Sequence, residues 1–324
     1  MIARRAVLAG ALAGACAPRA ETTRTLTAAD VHRPDYPTVV AVRWIGDALE
    51  RETQGRLRLR HYPSGQLGAE DDTIGMARFG ALDFARINAA ALNNRVPQTR
   101  ALCLPFVIRS VAHLHAVVDS AIGAEIRGAF AGAGLVALAI YDAGARCIYN
   151  VRRDVHTPAD LRGLKVRAPQ SDVFLRMVAA MGANPTPLPV NGVFQALSTH
   201  LIDGAENNWP TYDSARHLEM ARHWSNTEHS YAPEFLVMSQ ARYDALAPQD
   251  RDLVRALALQ SAGPMRTHWA QLNADSRRRA LAAGIVETEP DREAFRAAVA
   301  GFVAEEARAA DIGALIARIQ AMAA

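Results

Sequence analysis

The sequence predicts an α/β protein built as two lobes, with a ligand crevice beyond the strand ends. Short strand-like runs alternate with amphipathic helical runs along most of the 324 residues, the pattern of helices layered on a sheet. That pattern comes round a second time in the C-terminal half, without a strict repeat. The chain is also 50% hydrophobic and 21% charged, enough apolar material for a sizeable core and too much for a disordered chain. In such architectures a ligand sits in the crevice beyond the strand ends.

In chain order, residues 1–20 read as an export signal. Arg4 and Arg5 precede an apolar run over 6–15 and then small residues, as in a secretory leader. The paired arginines also hint at the twin-arginine route. Ala13-Gly14-Ala15-Cys16 is close to a lipoprotein box, but it has Ala where a larger aliphatic residue is usual, so a lipid anchor at Cys16 is not expected. The apolar run falls far short of the ~20 residues that span a bilayer. No later segment reaches that length uncharged, so the mature protein is expected to be soluble.

Residues 26–29 read as a short strand, and Val39, Val42, Ile45 and Leu49 give helical spacing up to Gly55. Arg56-Leu57-Arg58-Leu59-Arg60 alternates with period two, as an edge strand does. A turn at Pro63-Ser64-Gly65 leads into a helix that stops at Gly80, and Leu82-Asp83-Phe84-Ala85 reads as strand. Residues 135–141 form a continuous apolar run suited to a strand covered on both faces. The second half gives a strand at 164–167, helices at 172–181 and 193–200, and a strand at 204–207. Helical character then runs from beyond Pro248 to about residue 283, with a kink expected at Pro264.

Charge excludes a large class of functions. There are 36 basic and 33 acidic residues, and Arg4, Arg5 and Arg19 lie in the leader, so the mature body is neutral. A neutral body has no electrostatic footprint for nucleic acid, and aromatic content of 6% offers no stacking platform for bases. Lys165 is the only lysine, so most cationic positions can grip carboxylates as planar forks. Beyond the leader only Cys103 and Cys147 remain, with no zinc-ligand spacing. Both are read as free thiols.

No catalytic motif stands out, and no cofactor or metal is expected. HExxH, GxSxG, a Walker loop and an EF-hand are all missing. His113 and His115, two apart in a helix, point different ways and read as solvated, as do His217 and His223. The adjacent pairs Asp71-Asp72 and Glu305-Glu306 also read as solvated helix faces.

Three stretches do combine polar, directional residues with strand ends: Gly144-Ala145-Arg146, Gly163-Leu164-Lys165-Val166-Arg167, and residues 203–210, which contain Glu206 and Asn207. An arginine at a strand end can hold a carboxylate through two parallel hydrogen bonds. An asparagine offers a donor and an acceptor beside it.

Together with "YPSGQLG", "GALDFARIN", "TPADLRGLKVRAP", "GANPTPLP" and "LIDGAENNWPTY", in that order over residues 25–290, these stretches resemble the DctP-like solute-binding proteins of tripartite ATP-independent periplasmic (TRAP) transporters. The resemblance implies a two-lobed periplasmic binding protein, type II-like, with a hinge and an inter-lobe ligand cleft, one lobe from 24–144 plus 232–271 and the other from 145–231 plus 272–324. It implies that Arg167 forks onto a ligand carboxylate, that Arg146 and Asn207 support the same group, and that Glu70 and Asn88 contact the ligand from the opposite lobe. It also implies a periplasmic protein that hands a small carboxylate to membrane permease subunits.

"ADVHRPDYPT", "GAENNWPTY" and "TEHSYAPE" resemble the branch that binds hexuronates such as glucuronate and galacturonate. His32, Glu70, Asn88 and Gln170 are the side chains assigned to ring hydroxyls, with a structural role for His32 as the alternative. Val190-Asn191-Gly192 departs from the aromatic and acidic pattern expected there. Other readings are a binder of a keto acid or dicarboxylate, a sugar-acid-processing enzyme, and a sensory module.

Overall fold

The computed structural model of the protein describes residues 23–323; the expected leader and Cys16 lie outside them. The first sheet contains β1 (Arg24–Ala29), β2 (Leu57–Tyr62), β3 (Phe84–Asn88), β4 (Leu135–Tyr141) and β10 (Glu234–Ser239), in the order β2-β1-β3-β10-β4. The second contains β5 (Arg146–Asn150), β6 (Lys165–Ala168), β7 (Asn184–Pro187), β8 (Gly204–Asn207), β9 (His223–Ser230) and β11 (Val286–Thr288), in the order β11-β9-β5-β8-β6-β7. Each sheet is the centre of one lobe.

Helix α1 (Pro37–Glu52) begins with Pro at its first position and buries Val39, Val42, Ile45 and Leu49, the spacing read from the sequence. At Gly46 a Cβ would lie 2.8 Å from the Leu59 Cβ, so glycine lets α1 settle onto β2. Next come α2 (Glu70–Arg78), α3 (Ala89–Leu92), α4 (Arg100–Cys103), α5 (Val111–Asp119) and α6 (Ala121–Gly128). The second lobe adds α7 (Asp172–Ala180), α8 (Val193–Ser198) and α9 (Trp209–Ser214). The remainder are α10 (Gln240–Asp244), α11 (Pro248–Ala282), α12 (Arg292–Glu306) and α13 (Ala310–Ala321).

Strand β4 carries apolar residues on both faces because both faces are covered. Leu135, Ala137 and Ile140 enter one core and Leu138, Ala139 and Tyr141 the other. The change of phase coincides with a register shift opposite Leu236 and Val237, a bulge. Strand β10 runs antiparallel between β3 and β4.

The chain crosses between the sheets through residues 142–145, through 231–233 and along α11. That helix is 35 residues long and is assigned as one element through Pro264. It packs on α1 and β4 at one end and on α9 further along. Helix α12 packs on α7 and β9, whereas α13 packs on α4 and α6, so the segment 272–324 touches both lobes.

Several surface expectations are corrected. His113 is fully buried, with Nδ1 accepting from the Arg109 N–H at 3.1 Å and Nε2 3.0 Å from the Ile319 carbonyl oxygen, and so ties α5 to α13. His217 is buried with Nδ1 2.7 Å from the Tyr149 hydroxyl. His115 and His223 sit on Asp142 and Asp154. Glu306 is buried between Arg100 and Arg176. Each is a polar group that found a partner and could therefore leave water. Cys103 and Cys147 are free and buried.

Candidate functional site

The strand ends define the site. Parallel pairing sets Arg167 of β6 beside Ala205 of β8, and antiparallel pairing sets Cys147 beside Asn207. Arg146, Arg167 and Asn207 therefore share one edge of the second sheet. On the first sheet, β3 ends at Asn88 opposite Glu234, where β10 begins. Between these edges lies a cavity with about 360 Å³ of empty space, part of it open to solvent. It is lined by Val31, His32, Glu70, Arg86, Asn88 and Glu234 on one side and Arg146, Arg167, Pro169, Val190, Asn207 and Thr211 on the other.

Arg167 is 3% exposed. Its Nε donates to the Leu188 carbonyl oxygen at 2.8 Å, and among the described residues no carboxylate lies within ion-pair distance of it. Burial, reinforced by Arg146 and opposed by Glu206, pushes its guanidinium down to about 10. It is still a cation at neutral pH, and a buried cation without a counter-charge is costly until an anion arrives.

Arg146 is equally buried but fully engaged. Nε and Nη2 donate to the Glu206 carboxylate at 2.5 and 2.7 Å, and Nη1 donates to Asn207 Oδ1 at 3.3 Å. Burial opposes its charge, yet Glu206 more than offsets this and raises its affinity for the proton. Against the cost of its own burial, Arg146 and His229 hold the Glu206 carboxyl down at about 2. Asn207 Oδ1 also accepts the Asn208 N–H at 2.9 Å. Its Nδ2 has no partner among the described residues and is available to donate.

On the first-lobe side, Glu70 opens α2, and its Oε1 accepts from Arg86 Nη1 at 2.7 Å and from the Asn88 N–H at 2.8 Å. Asn88 is occupied at both ends of its amide. Oδ1 caps α3 by accepting from the Ala90 N–H, and Nδ2 donates to the Ala232 carbonyl oxygen and to Glu234 Oε1. It lines the cavity while holding its neighbours in place. The His32 imidazole stacks on Tyr36 with ring centroids 3.8 Å apart. Burial, with Arg86 nearby, pushes it down to about 3, so it is neutral. Its ring nitrogens have no hydrogen-bond partner among the described residues, so stacking and ligand contact are compatible. Gln170 is exposed and lines an adjoining cavity with Glu70, Arg167 and Val190, outside the space around Arg146 and Asn207. Val190 lines both cavities, and an aliphatic side chain stands where a ring was expected.

Sequence reading named Glu70 but missed the rest of the acidic side of the cleft. Arg86 is 1% exposed and pairs with Asp30 at 2.6 Å, Glu70 at 2.7 Å and Glu234. The available signal was an arginine inside the strand Phe84-Ala85-Arg86-Ile87-Asn88, every residue of which is buried, because such a charge demands partners. The partners come from the end of β1, the start of α2 and the start of β10, and no local pattern joins them. Glu206, between Ala205 and Asn207, was read only as part of a strand. Among the described residues no group of three His, Cys, Asp or Glu is placed to hold a metal ion.

Comparison with known proteins gives this geometry a family. Residues 28–309 match the model described as "Bacterial extracellular solute-binding protein, family 7", DctP. A solved TRAP periplasmic solute-binding protein from Bradyrhizobium sp. BTAi1, in complex with α/β-D-galacturonate, is 46% identical. The match covers 92% of this chain and 100% of that one, with a TM-score of 0.91. One from Roseobacter denitrificans with bound β-D-glucuronate is 35% identical over 93% and 100% of the two chains, TM-score 0.90. The 2,3-diketo-L-gulonate-binding periplasmic protein YiaO of Escherichia coli is 32% identical over 79% of this chain and 78% of its own length. With its two sheets, inter-lobe cleft and buried arginines, the chain belongs to the DctP family of TRAP-transporter solute-binding proteins.

Proposed function

We propose that the protein is an exported, non-catalytic receptor that captures a hexuronate, such as galacturonate or glucuronate, and presents it to the membrane permease of a TRAP transporter. The observation that carries this reading is Arg167, a buried cation facing the cleft with its Nε fixed and, among the described residues, no carboxylate within ion-pair distance. A ligand carboxylate completes the pair through two parallel bonds, and Asn207 Nδ2 donates to the same group. Glu70, Glu234 and His32 are polar acceptors on the facing wall for hydroxyls. The proteins with bound galacturonate and glucuronate, at 46% and 35% identity, support the choice of ligand.

Closure of the lobes would occur about residues 142–145 and 231–233, which separate 24–144 plus 232–271 from 145–231 plus 272–324. Helix α13, packed on α4 and α6, would travel with the first lobe. The leader at residues 1–20 would direct the chain to the periplasm. A keto sugar acid is the second reading, favoured by the likeness to the diketogulonate-binding protein.

Thermal denaturation of the mature protein tests the proposal. At one hundred times Kd a ligand adds about 2.7 kcal/mol to the folded state, enough to raise the melting temperature by several degrees. Galacturonate or glucuronate should do so and glucose should not; equal shifts from glucose and glucuronate would overturn the reading.

A further inference from the structure

The cleft has one positive wall and one negative wall. On the first-lobe side Arg86 faces three carboxylates, from Asp30, Glu70 and Glu234, which leaves two excess negative charges when all three are ionised. Burial, with Glu70 and Asp30 beside it, raises the Glu234 carboxyl above the usual range despite Arg86. Even with a proton on Glu234, one excess negative charge remains. The neighbouring groups supply no cation: His32 is neutral, burial lowers His61 and keeps it neutral, and burial keeps the Tyr36 hydroxyl protonated. The spare positive charge of the cleft is on the opposite wall, at Arg167. Glu70 acts on it across the gap.

Resting on the reading that a sugar-acid carboxylate docks on Arg167, we infer that Glu70 and Glu234 are specificity residues that admit hydroxyl-bearing monocarboxylates and reject dicarboxylic sugar acids. Glu70 Oε1 is engaged by Arg86 and Asn88, whereas Oε2 has no partner among the described residues. A ligand hydroxyl donates to a carboxylate oxygen in that position. An aldarate, in which a second carboxylate replaces the anomeric carbon, has only acceptors at that end and would place like charges together in a closed cleft. Such juxtaposition costs several kcal/mol in recognition sites, equivalent to roughly a hundredfold or more in Kd.

The test is calorimetric titration of the mature protein with galacturonate and with galactarate, its dicarboxylic counterpart. The unmodified protein should bind galactarate at least ~100-fold more weakly. An aldarate also lacks the ring, so the decisive readout is how Glu70→Gln and Glu234→Gln change the ratio of the two affinities. Glu70→Gln should narrow it about tenfold or more, because it removes a repelling charge, and Glu234→Gln should narrow it by less, because burial favours the protonated form of that carboxyl. Glu70 is partly exposed at a helix start, so its variant should keep the fold even if that of Glu234 does not, and melting curves confirm which variants are folded. Comparable affinity for the two ligands, or a ratio unmoved in a folded Glu70→Gln protein, would overturn the inference and leave the functional reading standing. No heat with galacturonate, glucuronate or galactarate would overturn that reading, and the inference with it.

Discussion

The two walls of the cleft use the same residue for opposite ends. Arg86, Arg146 and Arg167 are all buried to within a few per cent, yet among the described residues they meet three carboxylates, one carboxylate and none. Arg86 is the centre of a structural cluster, and Arg146 is a strut held by Glu206. Only Arg167 has electrostatic capacity left for a guest. A buried arginine therefore marks a binding site by the counter-charges it lacks, and its own burial says little.

Removing the central cation of each wall breaks this comparison most severely. Arg86→Met strands the buried carboxyl groups of Asp30 and Glu234 and takes away the partner of the partly exposed Glu70. Losing one partner of a buried pair costs about 3–5 kcal/mol, and here the loss should reach at least the top of that range, enough to unfold much of the population at neutral pH. Circular dichroism against denaturant measures it. Arg167→Ala should leave that unfolding curve nearly unchanged and weaken hexuronate binding by about two to three decades. Arg167→Lys should fall in between, because a point charge lacks the planar fork. Affinity of the alanine variant within threefold of the parent, measured by calorimetry, would remove Arg167 from the site.

Two smaller effects sharpen the contrast. Asn207→Ala removes a donor to the ligand and a prop for Arg146, and should cost about tenfold in Kd. The walls should also respond oppositely to acid. The raised Glu234 carboxyl binds its proton more tightly folded than unfolded. Its contribution to stability is complete below the ordinary glutamate value of about 4.3 and is lost as pH rises through its folded value. The depressed Glu206 contributes stability above that ordinary value and loses it as pH falls towards about 2. From pH 7 to pH 5 the unmodified protein should therefore gain melting temperature relative to Glu234→Gln. An identical pH profile in the two proteins would contradict the assignment.

How much of this was legible depended on whether the partners were local. The strand ends bearing Arg146, Arg167 and Asn207 could be read because each lies in a short run with its own turn, and antiparallel pairing of β5 with β8 and parallel pairing of β6 with β8 did the rest. Helix α1 was readable from four apolar positions. The Arg86 cluster was not, because Asp30, Glu70 and Glu234 are brought together by the sheet order and no spacing connects residues 30 and 234. Gln170 follows Arg167 by three residues, yet the chain turns after Ala168 and leaves it exposed. The buried His113 and His217 looked like surface residues because their partners, Ile319 and Tyr149, lie 206 and 68 positions away.

The place of β10 governs the order in which the chain can fold. Strands β3 and β4 have no direct pairing and are joined only through β10, which follows the main part of the second lobe in the chain. The first sheet stays split until residues 234–239 have arrived, so its closure is a long-range step of high contact order and correspondingly slow. Until then the facing edges of β3 and β4 expose unpaired backbone groups, the kind of edge that pairs with other chains. A polypeptide that emerges N-terminus first must therefore keep its first half from associating until its second half has followed.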